Sequence, residues 1–186
     1  MARIKLILLD FDGTLVDTRR ANALAYVQTL SEAGIDITEQ EYADKYFGVR
    51  CPEFMHSLGI TDPDQAERLR HRKIELYPQY FSTVKLNKPL WDLCQSMRAT
   101  GIKVWIVSTG HIDNISNVMR YLRLEDGIDG ILSSDDVDDP KPAPDCFLRA
   151  MQIVGATPDE TLIFEDSAVG LEAARRSGAP FFKVEL

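Results

Sequence analysis

Apolar positions along the chain follow two different rhythms. In one, short unbroken apolar runs stop abruptly at polar loops. Ile4 to Leu9 is such a run, with a single lysine, and it ends at Asp10-Phe11-Asp12-Gly13. Val104-Trp105-Ile106-Val107 ends at Ser108-Thr109-Gly110, and Thr161-Leu162-Ile163-Phe164 ends at Glu165-Asp166-Ser167. Gly130 to Ser133 and Phe181 to Val184 complete a set of five. Runs this short and this apolar read as strands buried on both faces. Helical patterns lie between them, near 87–99, 112–124, 143–154 and 167–177. Strand alternating with helix predicts an α/β fold: a parallel sheet of about five strands with helices on both faces.

The second rhythm occupies residues 17–84 and is helical throughout. Ala21, Leu24, Ala25, Val27, Gln28 and Leu30 suit one amphipathic helix that stops at Gly34. Residues 39–47 and 51–58 give two shorter helices around Gly48, and Pro63 to Tyr80 a long one. An all-helical domain, 17–84, is therefore inserted into an α/β domain made of 1–16 and 85–186. The linkers fall at Val16 to Arg19 and Thr83 to Lys88.

Composition narrows the class. The chain has 186 residues and 27% charged positions, enough for a real core without staples. Its formal charge of -8 gives no electrostatic footprint for nucleic acid or an anionic membrane. Cys51, Cys94 and Cys146 have neither disulfide-framework nor zinc spacing, which fits reduced thiols in the cytoplasm. The first apolar run is too short for a signal peptide, and no stretch approaches a membrane span.

Chemistry concentrates where the apolar runs end. Asp10 and Asp12, at i and i+2, would point into one cleft, one suited to nucleophilic attack and its neighbour to proton transfer. Gly13 permits a tight turn with exposed N–H groups, and Thr14 adds a hydroxyl. Ser108, with the N–H of Thr109, could hold an anion or simply cap the next helix. Lys141 sits in Asp139-Pro140-Lys141-Pro142-Ala143-Pro144-Asp145, a rigid base for one positive charge or a solvated surface lysine. Asp166, reinforced by Glu165, could ligate a hard cation with Asp10 or cap a helix. Asp135, Asp136, Asp138 and Asp139 read as a solvated loop, and His111 as a helix-start side chain. Pooled at one end of a parallel sheet, these groups suit a phosphoryl group plus Mg²⁺.

The blocks Asp10-Phe-Asp-Gly-Thr-Leu-Val-Asp17, Val104-Trp-Ile-Val-Ser108-Thr109, Lys141-Pro-Ala-Pro-Asp145 and Phe164-Glu-Asp-Ser-Ala-Val-Gly-Leu-Glu-Ala-Ala174 resemble, in order, those of the haloacid dehalogenase-like hydrolase superfamily. The best likeness is to its subgroup of beta-phosphoglucomutase, phosphoglycolate phosphatase and small sugar-phosphate phosphatases. The resemblance implies a Rossmann-like core with an inserted helical C1 cap. It implies Asp10 as nucleophile and Asp12 as general acid and base. Ser108, Lys141 and the N–H groups after Asp10 and Ser108 would bind phosphate. Asp10, the Asp12 carbonyl, Glu165 and Asp166 would hold Mg²⁺. In the cap, Arg50 of Lys45-Tyr-Phe-Gly48-Val-Arg50 and Lys73 of Arg72-Lys73 are expected to meet the substrate. Mutase-like members carry a histidine five residues after the last aspartate of the first block, where this chain has Asn22. That departure favours hydrolysis over the mutase alternative; a catalytically silent phosphate-binding protein is a third reading. Asp12, which dehalogenases of the superfamily lack, favours phosphoryl transfer. Pro140 stands where a glycine is common, and many relatives continue past the last strand, so one sheet edge is expected to be less covered. The expected partner is a small phosphorylated metabolite, and the expected assembly a monomer or weak homodimer.

Overall fold

The structure is a computed structural model and describes residues 3–186. In chain order the elements begin with β1 (Leu6–Leu9), β2 (Val16–Asp17), α1 (Arg19–Glu32), α2 (Glu39–Lys45), α3 (Cys51–Ser57) and α4 (Pro63–Leu76). They continue with β3 (Lys85–Leu86), α5 (Lys88–Arg98), β4 (Lys103–Val107), α6 (Ile112–Leu122) and β5 (Gly130–Leu132). The last four are α7 (Asp145–Val154), β6 (Thr161–Glu165), α8 (Ala168–Ser177) and β7 (Phe181–Lys183). The chain divides into two compact units, one ending its first segment at Asp17 and resuming at Leu86, the other formed by Thr18–Lys85.

The α/β unit holds a parallel five-stranded sheet in the order β5-β4-β1-β6-β7. The strand nearest the N-terminus lies at its centre: Leu6 pairs with both Lys103 and Thr161, and Leu9 with both Ile106 and Phe164. Every residue of β1 is fully buried, which is why its sequence is an unbroken apolar run rather than an alternating one. Leu6 and Leu8 pack with Phe147, Ala150, Ile163, Ala173 and Ala174 on one face. By strand alternation Ile7 and Leu9 serve the other face. Small side chains in α7 and α8 allow these helices to lie close to the sheet. All five expected strands are present. The four helices between them start and stop within a few residues of their apolar periodicity.

Local signals explain the helix ends. Asn87 caps α5 by accepting from the Leu90 N–H at 3.3 Å. Gly155 and Gly178 close α7 and α8 in the left-handed conformation.

The helical unit differs from expectation in two details. The long helix beginning at Pro63 ends at Leu76 rather than Tyr80, and Tyr77–Thr83 continues as a 3₁₀ helix. Pro78 has no N–H to give the Ile74 carbonyl, so the α ladder stops there. In α1 the buried side is Ala21, Ala23, Ala25, Tyr26, Thr29 and Leu30, whereas Leu24, Val27 and Gln28 are half-buried. Tyr26, Tyr42 and Phe54 build the centre of this unit, with ring centroids 4.9–5.5 Å apart.

Candidate active site

Asp10 follows β1 directly, and its N–H donates to the Phe164 carbonyl at 2.9 Å, so its backbone is still held to β6. The chain then turns: the N–H groups of Leu15 and Val16 both donate to the Phe11 carbonyl, at 3.1 and 2.9 Å. The turn runs through Gly13 at φ +97, where a Cβ would lie 2.3 Å from Asp166 Oδ2. Glycine is therefore required twice, for the backbone and for room beside a carboxylate. Buried Thr14 donates its hydroxyl to Asp166 Oδ1 at 2.9 Å. The loops after β1 and β6 are thereby tied together.

Lys141 is the centre of the cluster. Its side chain is 2% exposed, and Nζ donates to Asp10 Oδ1 at 2.7 Å, Glu165 Oε2 at 2.6 Å and the Val107 carbonyl at 3.1 Å. All three ammonium donors are thus satisfied, each by the loop or end of a different strand. The reading of Lys141 as a surface lysine is excluded. Its peptide bond to Pro142 is cis, and α7 starts just after Pro144. Glu165 is 1% exposed, and its other oxygen accepts from the N–H of Asp166, the N–H of Ser167 and the Ser167 hydroxyl, at 3.2, 3.1 and 2.9 Å.

Ser108 is buried at the end of β4, and its hydroxyl accepts from the Gly110 N–H at 3.0 Å. A Cβ at Gly110 would lie 3.3 Å from both Ser108 Oγ and Asp12 Oδ2, which places those two oxygens around one glycine. Half-buried Thr109 lies between Ser108 and Gly110 in sequence. The helix-capping alternatives are not realised. His111 caps α6 by accepting from the Asp113 N–H, and Ser167 caps α8 by accepting from the Gly170 N–H. Ser108 and Asp166 are left for other work.

The electrostatics follow from burial. Burial, then the Glu165 charge, pushes the Asp10 carboxyl well above the ordinary range, against the pull of Lys141. Lys141 keeps its proton more firmly than usual: burial opposes the charge, but Asp10 and Glu165 outweigh it. Asp166 is also raised, first by burial. One ammonium among three carboxylates leaves a local excess of negative charge. Oxygen atoms of Asp10, Glu165 and Asp166 lie within 4.8 Å of one another. A hard cation with oxygen ligands fits that donor set and that charge.

The helical unit carries the remaining expected residues. Lys73 is 1% exposed, donates to Asn22 Oδ1 at 2.7 Å, and lies 3.7 Å from the centre of the Tyr77 ring. It is a buried cation and not surface charge. Asn22 donates its amide to the Thr18 carbonyl and the Tyr77 hydroxyl, both at 3.2 Å. Arg50 precedes α3, with its side chain 36% exposed and its guanidinium 4.0 Å from Glu53.

Sequence reasoning missed two parts of this site. Glu165 acts on Lys141, a pairing across 24 positions that no local pattern announces. Gly170 does not merely bring helix and sheet together: a Cβ there would lie 2.0 Å from the Glu165 carboxyl carbon. Its spacing of five from a carboxylate at a strand end was the available signal.

Comparison with known proteins places this geometry. A family model described as haloacid dehalogenase-like hydrolase matches residues 7–184. A phosphoglycolate phosphatase of Aquifex aeolicus is 26% identical over 180 residues, covering 94% of this chain and 82% of the relative. The fructose-1-phosphate phosphatase YqaB of Escherichia coli is 28% identical over 183 residues, covering 97% and 96%. Among solved structures, CbbY from Rhodobacter sphaeroides in complex with phosphate superposes with a TM-score of 0.87 at 23% identity, covering 98% of this chain and 87% of that one.

Proposed function

We propose, from the premise that this chain belongs to the haloacid dehalogenase-like hydrolase family, that it is a Mg²⁺-dependent phosphomonoester hydrolase using an aspartyl-phosphate intermediate. Its substrate is a small phosphorylated metabolite, a sugar or organic-acid phosphate. The observation that carries this reading is the buried Lys141 ammonium held between Asp10 and Glu165, with the Asp166 carboxylate completing the group. Relatives named as phosphatases of phosphoglycolate and fructose 1-phosphate support the substrate class.

Asp10 is the nucleophile. Lys141 holds its Oδ1 and so fixes the carboxylate's direction of approach. Asp10 attacks phosphorus as the bond to the departing alcohol breaks, and Asp12 gives that oxygen its proton. Asp12 then takes a proton from the water that attacks the aspartyl-phosphate, releasing inorganic phosphate and restoring Asp10. Ser108, Thr109 and the N–H groups after Asp10 and Ser108 receive the phosphoryl oxygens, with the Lys141 charge beside them, where preorganised donors are most effective. Asp10, the Asp12 carbonyl, Glu165 and Asp166 are the residues that would hold Mg²⁺; when bound, it supplies positive charge to the transferring phosphoryl group. Arg50, with its partly exposed side chain, is the helical unit's residue for the rest of the substrate; Lys73, buried against Asn22 and Tyr77, would meet it only with those contacts opened. Asn22 carries no titratable proton, and its amide is spent on Lys73, Thr18 and Tyr77, which favours hydrolysis over a mutase cycle. The three cysteines are free thiols, in keeping with a cytoplasmic setting. No helix among the described residues is long and apolar enough to cross a membrane.

The test is a phosphomonoester screen with Mg²⁺, ranked by kcat/KM, on the native chain and on Asp10→Asn. The native chain is expected to release phosphate from sugar or organic-acid phosphates, and the variant to lose turnover while keeping its circular dichroism spectrum. Steady turnover by the variant would remove Asp10 from its role. Conversion of a hexose 1-phosphate to an isomeric phosphate without phosphate release would replace the hydrolase reading with the mutase.

A further inference from the structure

Among the described residues β7 is the outer strand of the sheet, and no strand pairs with its other edge. Ile163 N–H donates to the Pro180 carbonyl at 3.0 Å, and Val184 N–H donates to the Glu165 carbonyl at 2.8 Å. By strand parity the peptide groups of residues 180, 182 and 184 face β6, so those of Phe181, Lys183 and Glu185 face outward. Edges are usually blunted by short strands, Pro, Lys, bulges, covering segments or inward charges. This one is short and carries Pro180 and Lys183, but Glu185 offers the opposite charge two residues on, and large apolar side chains stand beside them: Phe182 is 59% exposed, Leu186 55% and Phe181 39%.

We propose that β7 and the residues that follow it, 181–186, pair antiparallel with the same segment of a second copy of this chain, about a two-fold axis through Val184. That register is the one the side chains select. It sets Lys183 opposite Glu185 of the second copy, twice, in pairs whose outward N–H and C=O groups exchange hydrogen bonds. On the other face it sets Phe182 opposite Leu186 and Val184 opposite itself, so exposed Phe182 and Leu186 cover one another. Moving the axis to Lys183 would put Lys183 against Lys183 and Phe181 against Glu185. Moving it to Glu185 would put two carboxylates face to face. Only the Val184 register satisfies both the charged and the apolar faces, and an isologous contact of this kind closes at two copies. The Lys183 and Glu185 side chains already meet within one chain at 2.6 Å, both largely exposed, so each is poised to turn to the partner.

Sedimentation equilibrium over a concentration series tests this directly. The native chain is expected to pass from 21.0 kDa to twice that mass as concentration rises. Lys183→Glu and Glu185→Lys each turn two attractive pairs into two repulsive ones. Each is expected to weaken self-association by roughly tenfold or more. An equimolar mixture of the two variants restores the attraction, because one chain then offers only carboxylates and the other only ammonium groups; so does the double exchange in one chain. Circular dichroism confirms that each variant is folded. A native chain that stays at 21.0 kDa throughout overturns the proposal. So does a dimer indifferent to both single variants, which would use another face, or a mixture that associates no better than its components.

Discussion

A methyl group at Gly170 would sit 2.0 Å from the carboxyl carbon of Glu165, whose own surroundings leave it nowhere to go. Glu165 is held through one oxygen by three donors and through the other by Lys141. Gly170→Ala is therefore expected to displace Glu165 and, with it, the ammonium that aims Asp10. A misplacement of this order costs roughly 10²-fold in rate. The expected outcome is a fall of that size in kcat, with a thermal transition that remains cooperative. An unchanged kcat would mean that Glu165 has room to move and that its position is not critical. The same logic explains why Gly13 cannot be replaced without disturbing Asp166.

At the scale of elements, Asp129 fastens the turn before β5 to the start of β4. Its carboxylate accepts from Arg98, Lys103 and the Val104 N–H, at 3.0, 3.1 and 2.9 Å for the shortest contact of each. Burial opposes ionisation, but these donors outweigh it and hold the carboxyl at about 2 against an ordinary 3.8. A depressed carboxyl contributes stability above its unfolded pKa and loses it as pH falls through the folded one. Asp129→Asn should thus destabilise the protein by on the order of 1–3 kcal/mol near neutral pH. The difference should shrink as pH falls from about 4 towards about 2. Urea unfolding of both proteins across that range measures it; a constant difference would show that charge is not what Asp129 contributes.

Much of this element-level picture was legible in the sequence, for a definite reason. Strands buried on both faces must be apolar throughout, so β1, β4 and β6 announce themselves and mark the polar residues at their ends. What a residue does after burial was less legible. The positions of Lys141 and Glu165 could be read, but not that each satisfies the other. Lys73 falls on the inner side of α4 by periodicity, yet its charge argued for the surface until Asn22 and the tyrosine rings supplied partners. The end of α4 was available in Pro78 and was overrun by the apolar pattern beyond it.

At the scale of the whole molecule, groups from residues 10, 141, 165 and 166 converge although more than 150 positions separate the first from the last. Carboxylates crowded in this way exist only in the folded chain, so a cation they bind stabilises that state alone. Mg²⁺ at about 100 times its Kd should add about 2.7 kcal/mol. Calorimetry should show a transition temperature rising with Mg²⁺ in the native chain and little changed in Asp166→Asn. Equal shifts in both would place the cation elsewhere.

The first strand of the chain is also the middle strand of the sheet, laddered on both sides, and Asp10 is still pinned to Phe164 as it leaves. Fraying begins at margins, at β5 and β7, and leaves the centre in register. The carboxylate proposed as the nucleophile is consequently insulated from partial melting, and heat should silence the enzyme only when the entire fold gives way.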